Sequence, residues 1–108
     1  MPELRLRCII CYDIKDPGQD APPPRVRDAE RRRNRLADLL LDWGPRVQKS
    51  VYEAELTAAE AEEILREAAK YVGREDSFRI YRLCSACRDR TRTLGREDPA
   101  DLDGLIIL

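Results

Sequence analysis

Asp13 is the first residue whose position could do chemistry. It directly follows the apolar run Cys8-Ile9-Ile10-Cys11-Tyr12 and, after Ile14, gives way to a loop. An acid at the end of a buried strand either stands at the mouth of a site or makes an Asx turn for the next segment. A divalent cation such as Mg²⁺ keeps several waters and takes one or two carboxylates. A lone Asp13 therefore needs a second ligand, which a two-fold axis could supply as Asp13 of another copy. Without metal, two such acids would repel or share a proton. The chain contains no histidine. That excludes Ser-His-Asp triads, Cys-His pairs, histidine acid–base chemistry and His-ligated zinc. A carboxylate holding a metal ion is the hydrolytic tool that remains.

Two Cys-x-x-Cys pairs come next, Cys8 with Cys11 and Cys84 with Cys87. Residues three apart on a strand point to opposite faces, so Cys8 and Cys11 cannot share one ion. They read as small buried hydrophobes. Cys84 and Cys87 straddle a strand end and could converge, but two thiolates fill half of a tetrahedral zinc site unless a second copy adds two more. Packing is the favoured reading for all four thiols, ahead of zinc or a redox pair. Disulfides are not expected in a cytoplasmic chain.

Arginines form the third constellation. The net charge is only −1, yet its distribution is uneven: eight basic and four acidic side chains from Arg25 to Lys49, then three basic and eight acidic from Glu53 to Asp76, then five basic and one acidic from Arg79 to Arg92. Arg31, Arg32, Arg33 and Arg35, followed by Arg46 and Lys49, could track a phosphate backbone without reading sequence. Plain solvation of a helix face accounts for the exposed ones equally well. Arg33 precedes Leu36 by three residues and so points toward the sheet, whereas Arg31 and Arg35 point outward.

The elements that must position these groups follow from periodicity. Leu4 to Ile14 alternates apolar and basic residues and then becomes continuously apolar, a central strand buried on both faces in its second half. Lys15 to Val26, with Pro17, Gly18 and Pro22-Pro23-Pro24, is expected as an exposed loop. Arg27 to Trp43 has a helical stripe of Ala29, Leu36, Leu39, Leu40 and Trp43, stopped by Gly44 and Pro45. Arg46 to Leu56 is long for one strand and is split near Gln48 to Ser50. Thr57 to Val72 is a helix opened by the capping box Thr57-x-x-Glu60. Asp76 to Cys84 is a strand, Ser85 to Asp101 is polar and irregular, and Leu102 to Leu108 is a final apolar strand that either finishes the chain's own sheet or, the favoured reading, adds to a partner's sheet edge. The order is the split βαβ pattern of a ferredoxin-like α+β sandwich in a single domain, residues 1–108, with a βαββαβ core at 1–84 and an extension at 85–108. One helical layer leaves the far sheet face, expected to show Phe78 and Ile80 or Tyr81, in need of a partner, so a homodimer is expected. The N-terminus shows no signal-peptide pattern and no apolar run approaches a membrane span, so a cytoplasmic location and no membrane partner are expected.

The combination of Cys11-Tyr12-Asp13-Ile14, Arg32-Arg33, Leu39-Leu40-Leu41-Asp42-Trp43-Gly44 and Arg46-Val47-Gln48-Lys49-Ser50-Val51-Tyr52-Glu53 resembles the small CRISPR-associated family called Cas two. Asp76 to Cys84 and Leu94-Gly95 extend the resemblance through nearly the whole chain. It implies a ferredoxin-like homodimer whose last strand is exchanged onto the neighbour's sheet. It implies that Asp13 faces its mate across the two-fold axis, as catalytic residue and as ligand of Mg²⁺ or Mn²⁺ where the family shows nuclease activity. Tyr12, Arg33 and Ser50 match nearby motif positions and join the expected nucleic-acid contacts. The implied partners are the CRISPR integrase and double-stranded prespacer DNA, with the dimer as a scaffold in spacer acquisition. The alternative is a metal-dependent endonuclease cutting single-stranded RNA or double-stranded DNA. One departure is the loop from Lys15 to Glu30, longer and richer in proline than is usual in the family and placed to shield Asp13.

Overall fold

The computed structural model describes residues 3–95. Within them the order is β1 (Leu6–Asp13), α1 (Pro23–Leu41), β2 (Arg46–Gln48), β3 (Val51–Leu56), α2 (Ala58–Ala68), β4 (Ser77–Leu83) and a short α3 (Ser85–Asp89). The four strands make one sheet in the order β2-β3-β1-β4. β1 lies antiparallel to both β3 and β4, as the ferredoxin-like α+β fold requires. β1 is therefore central, in agreement with its apolar sequence. The predicted reversal near Gln48 to Ser50 is present, with a register irregularity between Arg46 and Gln48.

One sheet face carries the core. Cys8, Ile10 and Tyr12 of β1, with Tyr52, Ala54 and Leu56 of β3, are buried together with Ala29, Leu36, Ala37 and Leu40 of α1 and Ala61, Ile64 and Ala68 of α2. The α1 set recurs at helical spacing and forms one stripe, as does the α2 set. Burying a Leu or Ile contributes about 2 kcal/mol each, so these few side chains hold both helices on the sheet. Gly44 has a stricter role than ending a helix. A Cβ there would lie 1.9 Å from the Glu53 carbonyl oxygen, so only glycine lets the α1–β2 turn pass β3.

Several boundaries differ from expectation. α1 begins at Pro23, inside the segment expected to be loop. Prolines at the first helical positions forfeit no hydrogen bond, because those amides have no intrahelical acceptor. The prolines start the helix rather than delay it. α2 ends at Ala68 and not at Val72, and Tyr71 and Val72 pack on the core from the following turn. The segment after β4 is not wholly irregular, since Ser85–Asp89 is helical. Phe78 and Ile80 pack against the helical side, so of the expected far-face residues only Tyr81 lies there, 48% exposed. The predicted C-terminal strand at Leu102 to Leu108 lies outside the described residues. Among the described residues no helix is long and apolar enough to cross a membrane.

Candidate nucleic-acid interface at the Asp13 strand end

The C-terminal end of β1 gathers most of the residues singled out in the sequence. Asp13 is the last residue of the strand, exposed and opposite Ser77 of β4. The Tyr12 amide donates to the Ser50 carbonyl at 3.2 Å, which puts the β2–β3 turn, with exposed Lys49 and half-buried Ser50, beside it. From the helical layer, Arg33 Nη2 donates to the Ile14 carbonyl at 3.3 Å. Asp13, Tyr12, Arg33, Lys49 and Ser50 thus converge on one sheet end although they span 39 sequence positions. The proline-rich segment does not cover Asp13, contrary to the shielding expected of it.

Tyr12 itself belongs to the core. It is 7% exposed and its ring stacks on Tyr52 at 6.3 Å and 21°. Burial, reinforced by the neighbouring Tyr52, pushes its hydroxyl up to about 12, so it stays protonated at neutral pH. It positions the strand end beneath Asp13 and presents almost no surface of its own to a nucleic acid. Arg46 is exposed on β2, where its Nε donates to the Tyr52 hydroxyl at 3.1 Å and its guanidinium lies 5.8 Å from that ring's centre.

The four arginines singled out among the six of α1 divide by orientation, and the outward pair is the one their spacing predicts. Arg31 and Arg35 are exposed. Arg31 pairs loosely with Asp28 at 3.2 Å, whereas Arg35 makes no ion pair among the described residues. Arg32 turns inward, bonding the Asp28 carboxylate at 3.0 Å, the Tyr71 carbonyl at 3.1 Å and the carboxylate of Asp76. These contacts account for Arg32 as a structural tie.

Asp76 is the residue that sequence reasoning did not single out for a role. Its side chain is 3% exposed and accepts from the Lys15 amide at 2.7 Å and the Gly73 amide at 2.6 Å as well as from Arg32. Burial alone would raise its carboxyl. The two amides and the guanidinium outweigh that and hold it below the usual carboxylate range. Lys15 is only two residues beyond Asp13, so this carboxylate pins the backbone that leaves the candidate site. Of its partners only Gly73 is local; Lys15 and Arg32 lie 61 and 44 positions away, and no local spacing announces them.

The opposite sheet face carries Arg7, Ile9, Cys11 and Asp13 of β1, Val51, Glu53 and Glu55 of β3, and Arg79 and Tyr81 of β4. Arg7 bridges Glu53 and Glu55, each at 3.0 Å, and Arg88 of α3 reaches Glu55 at 3.6 Å. Ile9, Cys11 and Val51 are half-buried there, outside the core that α1 and α2 cover. As a candidate metal ligand, the strand end exposes Asp13. No cluster of three or more His, Cys, Asp or Glu side chains is present among the described residues. This donor set fits Mg²⁺ or Mn²⁺ only where a second copy adds its own acid.

The fold and the site define a class: a ferredoxin-like α+β domain with an exposed acid at the end of its central strand, flanked by a basic helix and turn. The family model described as CRISPR associated protein Cas2 matches residues 6–91, and the chain belongs to that family. It is similar to a protein of Synechocystis sp. named CRISPR-associated endoribonuclease Cas2 3, 38% identical over 69% of this chain and 68% of that relative. A Chloroflexus aurantiacus protein named CRISPR-associated endoribonuclease Cas2 1 is 32% identical over 86% of this chain and 88% of its own. Among solved structures, Cas2 of Streptococcus pyogenes superposes with a TM-score of 0.64 at 30% identity, covering 83% of this chain and all of that one. A hypothetical protein of Thermus thermophilus gives 0.65 at 29% identity, over 85% and 93% of the two chains.

Proposed function

We propose that this chain is a homodimeric scaffold for CRISPR spacer acquisition, holding double-stranded prespacer DNA while the CRISPR integrase does the chemistry. The observation that carries this reading is the outward display of Arg31 and Arg35 on α1, together with Lys49 at the sheet end beside exposed Asp13. Guanidinium groups suit phosphate as planar, permanently charged forks. Such contacts position a duplex irrespective of sequence. The half-buried Ile9, Cys11 and Val51 beside exposed Tyr81 give the face opposite α1 and α2 an apolar centre, and a second copy of that face is the partner proposed for it.

A second reading is a metal-dependent endonuclease acting on single-stranded RNA or double-stranded DNA, favoured by the endoribonuclease names of the relatives. In it Asp13 from each protomer would hold one Mg²⁺ or Mn²⁺, which when bound supplies Lewis-acid polarisation of a phosphate. The chain's own contribution is to hold the strand end through Tyr12 and Asp76, with Arg33 at the Ile14 carbonyl. Duplex binding titrated across salt concentration tests the scaffold. A steep salt dependence that Arg31→Glu with Arg35→Glu flattens supports it, and binding unaffected by the pair refutes it.

A further inference from the structure

The structure places Cys84 and Cys87 where packing does not explain them. Both are exposed, which overturns the expectation of buried packing thiols, whereas Cys8 is buried and Cys11 half-buried in the sheet. Cys84 is the N-cap of α3 in extended backbone, and Cys87 lies in the first turn, three residues on. We propose that Cys84 and Cys87 form a reversible dithiol–disulfide couple at the exit of β4, oxidised by low-molecular-weight disulfides, with Cys84 as the attacking thiol and Cys87 as the resolving one.

Three observations support it. Cys84 at the N-cap and Cys87, the third helical residue, occupy the two positions whose side chains approach each other at a helix start, about 5–6 Å apart at Cβ. A disulfide needs about 3.5–4.5 Å, so closure asks for a small tightening of a five-residue helix and gives a bond that is readily reduced again. The sulfurs also differ. The neighbouring Cys87 amide, and after it the Cys87 thiol, hold the Cys84 thiol below the ordinary range although Cys84 makes no full cap hydrogen bond, and the same proximity raises Cys87. This is the asymmetry an attacking and a resolving thiol need. Finally, no third ligating side chain joins the pair among the described residues, so a single chain offers no complete metal site.

The chemistry balances with the small disulfide RSSR as oxidant. The Cys84 thiolate attacks one sulfur of RSSR, forming a mixed disulfide as the S–S bond breaks and RS⁻ leaves to take a proton. The Cys87 thiolate then attacks the Cys84 sulfur and expels the second RS⁻. The two protein thiols are oxidised, RSSR is reduced to two RSH, and the protons lost by the protein are gained by the thiols released.

The test uses the full chain in oxidised-to-reduced glutathione mixtures, with peptide mapping by mass spectrometry. The expected result is a Cys84–Cys87 disulfide that dithiothreitol reverses, with Cys8 and Cys11 still reduced. Brief iodoacetamide treatment at neutral pH should alkylate Cys84 several-fold faster than Cys87. Cys87→Ser should trap a glutathione adduct on Cys84, and Cys84→Ser should leave Cys87 nearly unmodified. Both positions are exposed, and circular dichroism checks that each variant is folded. Absence of the disulfide in excess oxidised glutathione would overturn the proposal. So would equal alkylation of the two thiols, or one zinc ion bound per two chains that blocks oxidation.

Discussion

The carboxylate of Asp76 and the guanidinium of Arg32 join the start of β4 to the middle of α1, and the same carboxylate holds the Lys15 amide just beyond Asp13. One nearly buried acid therefore fixes the relation between the basic helix and the strand end that carries the candidate site. Replacing a partner in such a pair leaves the other charge uncompensated, which costs on the order of 3 kcal/mol. Asp76→Asn keeps the shape and loses the charge. It is expected to lower the unfolding free energy by that amount, read as a lower urea midpoint at unchanged slope, and to broaden the amide signals of residues 13–16. An unchanged midpoint would remove Asp76 from this role.

The same group sets an acid limit. The folded carboxyl is held below its unfolded value, so its stabilisation is fully present above the unfolded value, about pH 4, and is lost as pH falls through the folded one. The stability gap between the native chain and Asp76→Asn should be constant from neutral pH down to about pH 5 and should shrink below about pH 4. Urea titrations at stepped pH measure it, and a gap that widens on acidification would reverse the assignment.

Gly44 and Gly18 separate two reasons for a glycine. At Gly44 an added Cβ meets the Glu53 carbonyl, whereas at Gly18, with φ of +97°, nothing lies within 4 Å. Gly44→Ala must push β3 or the α1–β2 turn aside, at about 2–3 kcal/mol. Gly18→Ala should cost only backbone strain, about 1 kcal/mol. Thermal or urea melts of the two variants should show this order.

Much of this architecture was legible in the sequence, and the gaps have physical causes. The split of Arg46 to Leu56 followed from its length. The capping box was readable as Thr57-x-x-Glu60, and the structure shows both of its hydrogen bonds. The start of α1 was not readable, because Pro23 and Pro24 break helix interiors but suit first turns, and composition alone does not separate the two cases. The facing of β4 was ambiguous because Phe78, Ile80 and Tyr81 are all apolar, and only the pairing of Ile80 with Ile10 fixes which side each takes. At the site, the arginine orientations followed from helical spacing, but Arg32's commitment depended on Asp76, 44 residues away. The exposure of Cys84 and Cys87 depended on a short helix that a polar, irregular-looking stretch did not reveal.

The sheet face opposite α1 and α2 gives a prediction about the proposed dimer. Tyr81 is exposed there beside half-buried Ile9, its cross-strand neighbour. Tyr81→Asp should raise the dimer dissociation constant roughly tenfold or more, since aromatic anchors dominate such interfaces. Sedimentation velocity reads this shift, with circular dichroism confirming an unchanged fold. An unaltered association state would mean that this face is not the one that pairs.

The two outward arginines should not contribute equally to duplex binding. Arg31 is partly neutralised by Asp28, and Arg35 has no such partner among the described residues. Arg35→Glu should weaken binding more than Arg31→Glu, each lowering the salt slope by about one unit per lost phosphate contact. Fluorescence anisotropy with a short duplex at several salt concentrations distinguishes them.

The scaffold reading is tested most directly by Asp13→Ala, carried through spacer acquisition in cells supplied with the integrase and array, alongside Mg²⁺-dependent cleavage in vitro. The account predicts undiminished acquisition and duplex affinity within twofold of the native chain, about 0.4 kcal/mol, whatever becomes of cleavage. Loss of acquisition together with cleavage, in a variant that still dimerises and binds duplex, would contradict it and make Asp13 chemistry the function.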